Sequence, residues 1–310
     1  MTQNASTEET PVAETDSRKR IEAFLEDVEE IPSLPQIAIK VTQMARSEST
    51  SAAELGRVVA SDQALAVRVL RAANSAYYAL PREITTLKDA IGFLGFKQLC
   101  SIVMAISAFE FFGGRLDDAD IARGRLWKHT LLTAISARHL AEKLGSMDRE
   151  EAFLAGLIHD IGKVVLDRYA HDNFVQILRQ AEAGPVPAFQ LEEQAWGFHH
   201  ADLGGALGER WDLPESLCRA IAHHHEPWRS PTEASEGAYL VFLANQVAHI
   251  MELQVTEEGR AYVIDDDAAE ILLWPATLAD HFGADVDRVI ELASESAAVA
   301  TEQESFYRGL

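Results

Sequence analysis

The stretch from Phe153 to Lys163 reads Phe-Leu-Ala-Gly-Leu-Ile-His-Asp-Ile-Gly-Lys, which sets a histidine beside an aspartate with a lysine one turn further on. Imidazole and carboxylate are ordinary ligands for zinc, iron or manganese. Adjacent residues of a helix point about 100° apart, so His159 and Asp160 cannot both face a narrow core stripe. They can converge on an ion lying at the side of the helix. The alternative is a hydrogen bond or ion pair at the end of a buried helix. Gly156, one turn earlier, leaves room for a second helix to approach closely.

Eleven histidines are unevenly placed. His129, His159, His200, His224 and His225 each sit on or beside a separate helical segment, apart from the last adjacent pair, and near helix ends or turns marked by Gly or Trp. Helices facing one another could bring all five to one cavity. Taken singly, each of these histidines has the simpler reading of a hydrogen-bonded core or surface residue. As a set they would hold one or two divalent ions (Fe, Mn or Zn), bridged by Asp160, the only carboxylate assigned to the site. A two-metal site can activate water and clamp phosphate oxygens for hydrolysis. Lys163, one turn after Asp160, would then neutralise a phosphate, making Asp160 and Lys163 the candidate catalytic residues. His139, His171, His249 and His281 carry no pattern, and His199 and His223 read as bystanders to their neighbours.

The elements that must position these side chains read as helices throughout. Ile21, Phe24, Leu25 and Val28 follow helical spacing. Ile31-Pro-Ser-Leu-Pro35 breaks that helix, with Ser33 as a possible cap for the next. Ser51-Ala-Ala-Glu54 has the form of a capping box. Gly92 and Gly95 interrupt the next helical pattern, Leu99 to Phe112 is a long apolar helix, and Gly113-Gly114 ends it. A polar connector, Asp117 to Arg125, leads to a helix from Trp127 to Leu144 with His129 in its first turn. Helices over 173–182, 189–196, 201–211, 215–225 and 238–251 follow. Acidic Asp265-Asp266-Asp267 precedes Ile271, Leu272 and Leu273, which suggest two more helices and a ragged end. The residues up to about 18 carry little large apolar surface and read as a disordered tail. No Gly-rich phosphate loop and no GxSxG elbow is present.

Composition narrows the classes. A hydrophobic content of 47% over 310 residues supports a sizeable core. With 27 Lys and Arg against 49 Asp and Glu, the net charge is −22, which argues against a nucleic-acid surface and an anionic membrane. Two distant cysteines, Cys100 and Cys218, suggest reduced thiols in a cytoplasmic protein. No signal peptide or membrane span is read.

Over roughly residues 20 to 250 the sequence resembles the HDOD family, the HD-related output domain of bacterial signalling proteins. In the front third the resemblance rests on Ile31-Pro-Ser-Leu-Pro35, Ser61-Asp62, Leu70-Arg-Ala-Ala-Asn74-Ser75-Ala-Tyr77, Ile84-Thr-Thr-Leu87, Asp89-Ala90-Ile91 and Leu94-Gly95. In the middle it rests on Ala155 to Lys163, His200 with Gly204, Trp211-Asp-Leu-Pro214 and His224-His225-Glu-Pro227. It implies an all-α fold, an HD-domain-like multi-helix bundle with an N-terminal helical subdomain. The implied organisation is a tail at 1–18, an N-terminal helical part at 19–114, an HD-like core at 115–252 and a helical extension at 253–310. By similarity to active HD and HD-GYP enzymes, His129 matches the first metal histidine, His159 and Asp160 the HD pair, and Lys163 the phosphate-facing lysine. His200, His224 and His225 match the further histidines of a dinuclear site. Two departures stand out. The closing Asp of active enzymes is replaced in Ala244-Asn245-Gln246, and the Gly-Tyr-Pro loop is absent, since Trp228-Arg-Ser-Pro231 follows Pro227. The resemblance therefore implies a signal-transduction output module acting on a protein partner with a metal-binding pocket. The alternative is a metal-dependent phosphohydrolase or phosphodiesterase acting on a nucleotide or cyclic dinucleotide.

Overall fold

The computed structural model describes residues 11–28, 35–47, 49–80, 83–112, 121–230, 235–253, 278 and 281–309. Among these every regular element is a helix. The front part comprises α1 (Pro11–Asp27), α2 (Gln36–Arg46), α3 (Ala52–Ala60), α4 (Gln63–Ala73), α5 (Leu87–Leu94) and α6 (Phe96–Phe111). The core part runs through α7 (Ile121–Leu144), α8 (Arg149–Ile158), α9 (Ile161–Tyr169), α10 (His171–Ala183), α11 (Ala188–Trp196), α12 (His200–Arg210), α13 (Glu215–Ala222) and α14 (Ser235–Leu253). A last helix, α15 (Val286–Arg308), returns to pack on α7 and α14. No single described helix is long and apolar enough to cross a membrane.

Local sequence chemistry sets the ends of these helices. Ser51 caps α3 through the expected capping box, its hydroxyl accepting from the Glu54 N–H while the Glu54 carboxylate accepts from the Ser51 N–H at 2.9 Å. Asp62 and Thr86 cap α4 and α5 by accepting the N–H groups of Leu65 and Asp89. Gly95, at φ 81°, lets the chain turn 114° between α5 and α6. Helix α6 then runs almost wholly buried through the molecule.

One buried polar knot ties the two parts together. The Arg138 guanidinium on α7 donates to Glu150 on α8 at 2.7 Å and to the Tyr307 hydroxyl on α15. Ser101 on α6 donates to the same Glu150 oxygen at 2.6 Å. The guanidinium lies 3.9 Å from the centre of the Phe153 ring. Four helices thus meet on one buried ion pair. Deeper in the same packing, a Cβ added at Gly156 would sit 2.8 Å from the Ala134 Cα, so the glycine is what lets α8 lie directly against α7.

Several sequence expectations shift. Helix α1 begins at Pro11, so the reading of a disordered tail fails for residues 11–18, where Arg18 reaches Glu209 at 3.1 Å; residues 1–10 lie outside the described residues. Helix α7 begins at Ile121 rather than Trp127, which places His129 two turns inside it and not in its first turn. Helix α13 ends at Ala222, leaving His224 and His225 in the turn beyond. The end of the chain is not ragged: α15 is long, and Tyr307 near its end is buried. The expectations for Ser33, Gly113-Gly114, the first part of the connector, Asp265-Asp266-Asp267 and Ile271–Leu273 fall outside the described residues.

Removing one member of the buried pair strands the other's charge. Glu150→Ala is expected to cost about 3–5 kcal/mol in urea unfolding, far more than an exposed carboxylate would. A loss below about 1 kcal/mol contradicts the role given to this knot.

Candidate metal centre

The His159-Asp160 pair lies at a break between helices. Asp148 caps α8 by accepting from the Glu150 and Glu151 N–H groups, and the helix runs to Ile158. His159 keeps helical angles, Asp160 turns to φ −95° and ψ 14°, and α9 starts at Ile161. The kink lets two adjacent side chains enter one space. Gly162 brings α9 against the first turn of α12, since a Cβ there would lie 2.0 Å from the His200 carbonyl oxygen. His199 caps α12 through a capping box with Asp202, which delivers His200 into the interior.

Asp160 is the hub. Its Oδ2 lies 3.4 Å from His159 Nε2 and 3.7 Å from His129 Nε2. Its Oδ1 lies 3.2 Å from His200 Nε2 and 3.7 Å from His224 Nε2. His225 Nε2 approaches His200 Nε2 at 2.8 Å, and the His225 ring stacks on Phe189 at 4.4 Å. The structure therefore brings together all five histidines with Asp160. The carboxylate divides them, His129 and His159 toward one oxygen, His200 and His224 toward the other.

The other ring nitrogens fix the tautomers. His159 Nδ1 lies 2.7 Å from the Gly156 carbonyl and His224 Nδ1 2.7 Å from the Ile221 carbonyl. A carbonyl only accepts, so both Nδ1 atoms carry the proton and both Nε2 atoms present a lone pair. His200 Nδ1 meets the Glu192 carboxylate at 2.6 Å, and the same oxygen accepts the His200 backbone N–H at 2.7 Å. His129 Nδ1 meets Glu252 at 3.3 Å. Three Nε2 atoms, of His129, His159 and His224, and Asp160 Oδ1 are buried without a hydrogen bond. Acceptors facing an acceptor at 3.4–3.7 Å repel unless a cation lies among them.

Spacing agrees with that chemistry. Two ligands bound at about 2.1 Å to one ion lie about 3.0–3.4 Å apart at right-angle to tetrahedral geometry. His129, His159 and Asp160 present ligand atoms within 4.8 Å of one another, and so do His200, His224 and His225. The residues present thus fit one or two divalent ions.

The electrostatics point the same way. Burial opposes the charge of Asp160, yet the Lys163 ammonium beside it holds its carboxyl well below the usual range. Burial pushes His159 down and His224 and His225 well down, which keeps these imidazoles neutral and free to ligate. His200 is shifted up against its burial by the Glu192 carboxylate.

Lys163 is placed differently from its expected role. Its ammonium donates to Asp160 Oδ2 at 2.7 Å, facing the carboxylate itself. Three neighbours escaped the sequence reading. Glu192 and Glu252 are carboxylates beside the site that the sequence did not mark, each meeting the outer nitrogen of a cage histidine. His249, left without a pattern, has its ring 4.5 Å from that of His129. The missed signal was helical spacing: Asn245, His249 and Glu252 fall at i, i+4 and i+7 on α14. Glu192 had no comparable signal, because α11 is brought to His200 only by tertiary packing.

A sequence model of the HDOD domain matches residues 31–227. The fold is similar to that of an HDOD domain protein of unknown function from Geobacter sulfurreducens, with 24% identity, a TM-score of 0.70 and 94% of each chain covered. It is also similar to a protein from Shewanella amazonensis SB2B described as a candidate phosphohydrolase, with 25% identity, a TM-score of 0.65, and 90% of this chain and 97% of that one covered. An uncharacterised protein of Treponema pallidum (strain Nichols) is 22% identical over 240 residues, 77% of this chain; the chain spans 46% of that relative's length.

Substituting Gly162 tests the packing that delivers His200. Gly162→Ala is expected to lower the melting temperature by several degrees and to shift the His200 imidazole resonances. Unchanged resonances and stability would show that α9 and α12 do not need this close approach.

Proposed function

The chain belongs to the HDOD domain family, and from that premise we propose that it is a regulatory module of bacterial-type signal transduction that holds divalent metal in its buried cage and acts on a protein partner. The observation that carries this reading is the enclosure of the cage. His159, Asp160, His200 and His224 are 0–1% exposed, which leaves room for ions but little direct access for a phosphoester. Asn245 adds no negative charge, and Lys163 is engaged by Asp160. In this reading His129 and His159 would hold one ion and His200, His224 and His225 the other, with Asp160 serving both. Metal would then act as a structural or sensed ligand whose loading alters the packing of α7, α9, α12 and α14, and through α7 the surface formed with α15.

A second reading, a phosphohydrolase of nucleotides or cyclic dinucleotides, is favoured by one observation. The two faces of Asp160 serve separate histidine sets, the arrangement a bridging carboxylate needs. A divalent pair would supply an activated water and a clamp for phosphate oxygens. Lys163, partly exposed, would release Asp160 and turn to the phosphate, while Glu192 and Glu252 keep the Nδ1 protons in place.

The deciding measurement is metal content of protein purified without chelator or affinity-tag metal, followed by assay with manganese or iron on bis(p-nitrophenyl) phosphate and cyclic dinucleotides. The module reading expects bound metal and no turnover. Asp160→Ala is expected to release the metal, and His159→Ala to weaken it by more than the roughly 10–100-fold typical of losing an outer-shell partner. Metal-dependent turnover abolished by Asp160→Ala would establish the hydrolase instead. Metal-free protein with unchanged behaviour in His159→Ala would remove both.

A further inference from the structure

Glu252 stands just outside the cage, against the outer nitrogen of His129. The amide of Asn245 offers a carbonyl oxygen, and that oxygen is buried without a hydrogen-bond partner. Seven residues on, along the same stripe of α14, Glu252 places Oε2 3.3 Å from His129 Nδ1 and 3.8 Å from His249 Nδ1. His129, His249 and Glu252 could by spacing alone hold an ion of their own. The direction of the His129 ring argues otherwise. Its Nε2 faces Asp160 at 3.7 Å, buried and without a hydrogen bond, so its Nδ1 is the protonated nitrogen and donates to Glu252. A neutral imidazole cannot ligate through Nδ1 while that atom carries the proton.

The pattern repeats across the cage. Glu192 holds the Nδ1 proton of His200, the Gly156 and Ile221 carbonyls hold those of His159 and His224, and Glu252 holds that of His129. A carboxylate on the outer nitrogen makes the inner one a stronger donor to metal and lends negative charge to the site. On the His129 side of Asp160, Glu252 is the carboxylate that does so.

Resting on the metal reading above, we infer that Glu252 is a positioning residue that compensates for Asn245: it fixes the Nδ1-protonated tautomer of His129 and returns to this half of the cage the negative charge that the amide does not provide. Glu252 is about one-third exposed, so a glutamine there leaves the core packing intact.

The test uses the full chain, Mn²⁺ as the probe and titration calorimetry. Glu252→Gln is expected to weaken one Mn²⁺ step about 10–100-fold. Adding Asn245→Asp to that variant is expected to recover most of the loss, because it puts a carboxylate at a buried position of the same stripe of α14 whose side-chain oxygen has no partner. His249→Ala is expected to keep the number of bound ions. In the metal-free protein, nitrogen NMR of the imidazoles is expected to show His129 protonated at Nδ1, and mixed tautomers in Glu252→Gln. Binding of Mn²⁺ by Glu252→Gln within twofold of the wild type, or no recovery in the double variant, overturns the inference while leaving the metal reading intact. Loss of a whole ion in His249→Ala overturns it by making the rim triad a metal site. A wild-type chain that takes up no Mn²⁺ overturns the metal reading and this inference with it.

Discussion

Everything around Asp160 answers to one constraint, a fully buried carboxylate surrounded by imidazoles whose outer nitrogens are already committed. Water has been removed from a charge, and a charge without solvent needs compensation. Lys163 provides part of it through a 2.7 Å contact. The histidines do not simply provide the rest, because hydrogen bonds to two backbone carbonyls and two glutamates turn lone pairs inward. Such an interior is unfavourable for a hydrocarbon-like core and favourable for a cation. The pairing of neutral imidazoles with outer-shell acceptors makes the site hold its geometry before any ion arrives.

Holding that geometry requires close helix contacts that larger residues would prevent. Gly156 sets α8 on α7, Gly162 sets α9 on α12, and Gly204 and Gly205 set α12 on α13, where added Cβ atoms would lie under 3 Å from Ile221 and Ala222. Each contact brings a histidine of the cage from a separate segment. The Arg138–Glu150 knot performs a parallel task at the other end of α8 and α7, where it joins the front helices and α15 to the cage. A change in how α7 and α8 pack would therefore be felt at both ends. That continuity is the physical basis on which a buried metal site could influence a protein surface.

The departure at Asn245 takes its meaning from the surrounding helix. An amide at this position, where the resemblance implies a carboxylate, adds no charge for a divalent ion. The same helix presents His249 and Glu252 one and two turns further on, against the His129 ring. On the proposed reading, the carboxylate just outside the cage lends its charge through an imidazole that transmits polarisation between its two nitrogens. A loss read from one position is in this way distributed over a stripe.

The sequence by itself carried the helical class, because apolar residues recur at helical spacing and the caps at Ser51, Asp62 and Thr86 are local features that act within a few residues. It also carried the identity of the cage residues, since His129, His159, Asp160, His200, His224 and His225 are marked by type and by resemblance to a known pattern. It could not place His129 two turns inside α7, because the residues just before Trp127 are mostly polar and show no apolar spacing; in the fold Arg123 there meets Asp167 on α9 at 3.3 Å. It could not find Glu192 and Glu252, or the carbonyls that fix the tautomers. Those groups are ordinary in composition and act only through proximity across distant segments. Which nitrogen faces inward, which oxygen of Asp160 serves which histidines and how Lys163 is engaged were decided by tertiary structure alone. Those properties depend on directions of lone pairs and protons that exist only once separate helices are packed against one another.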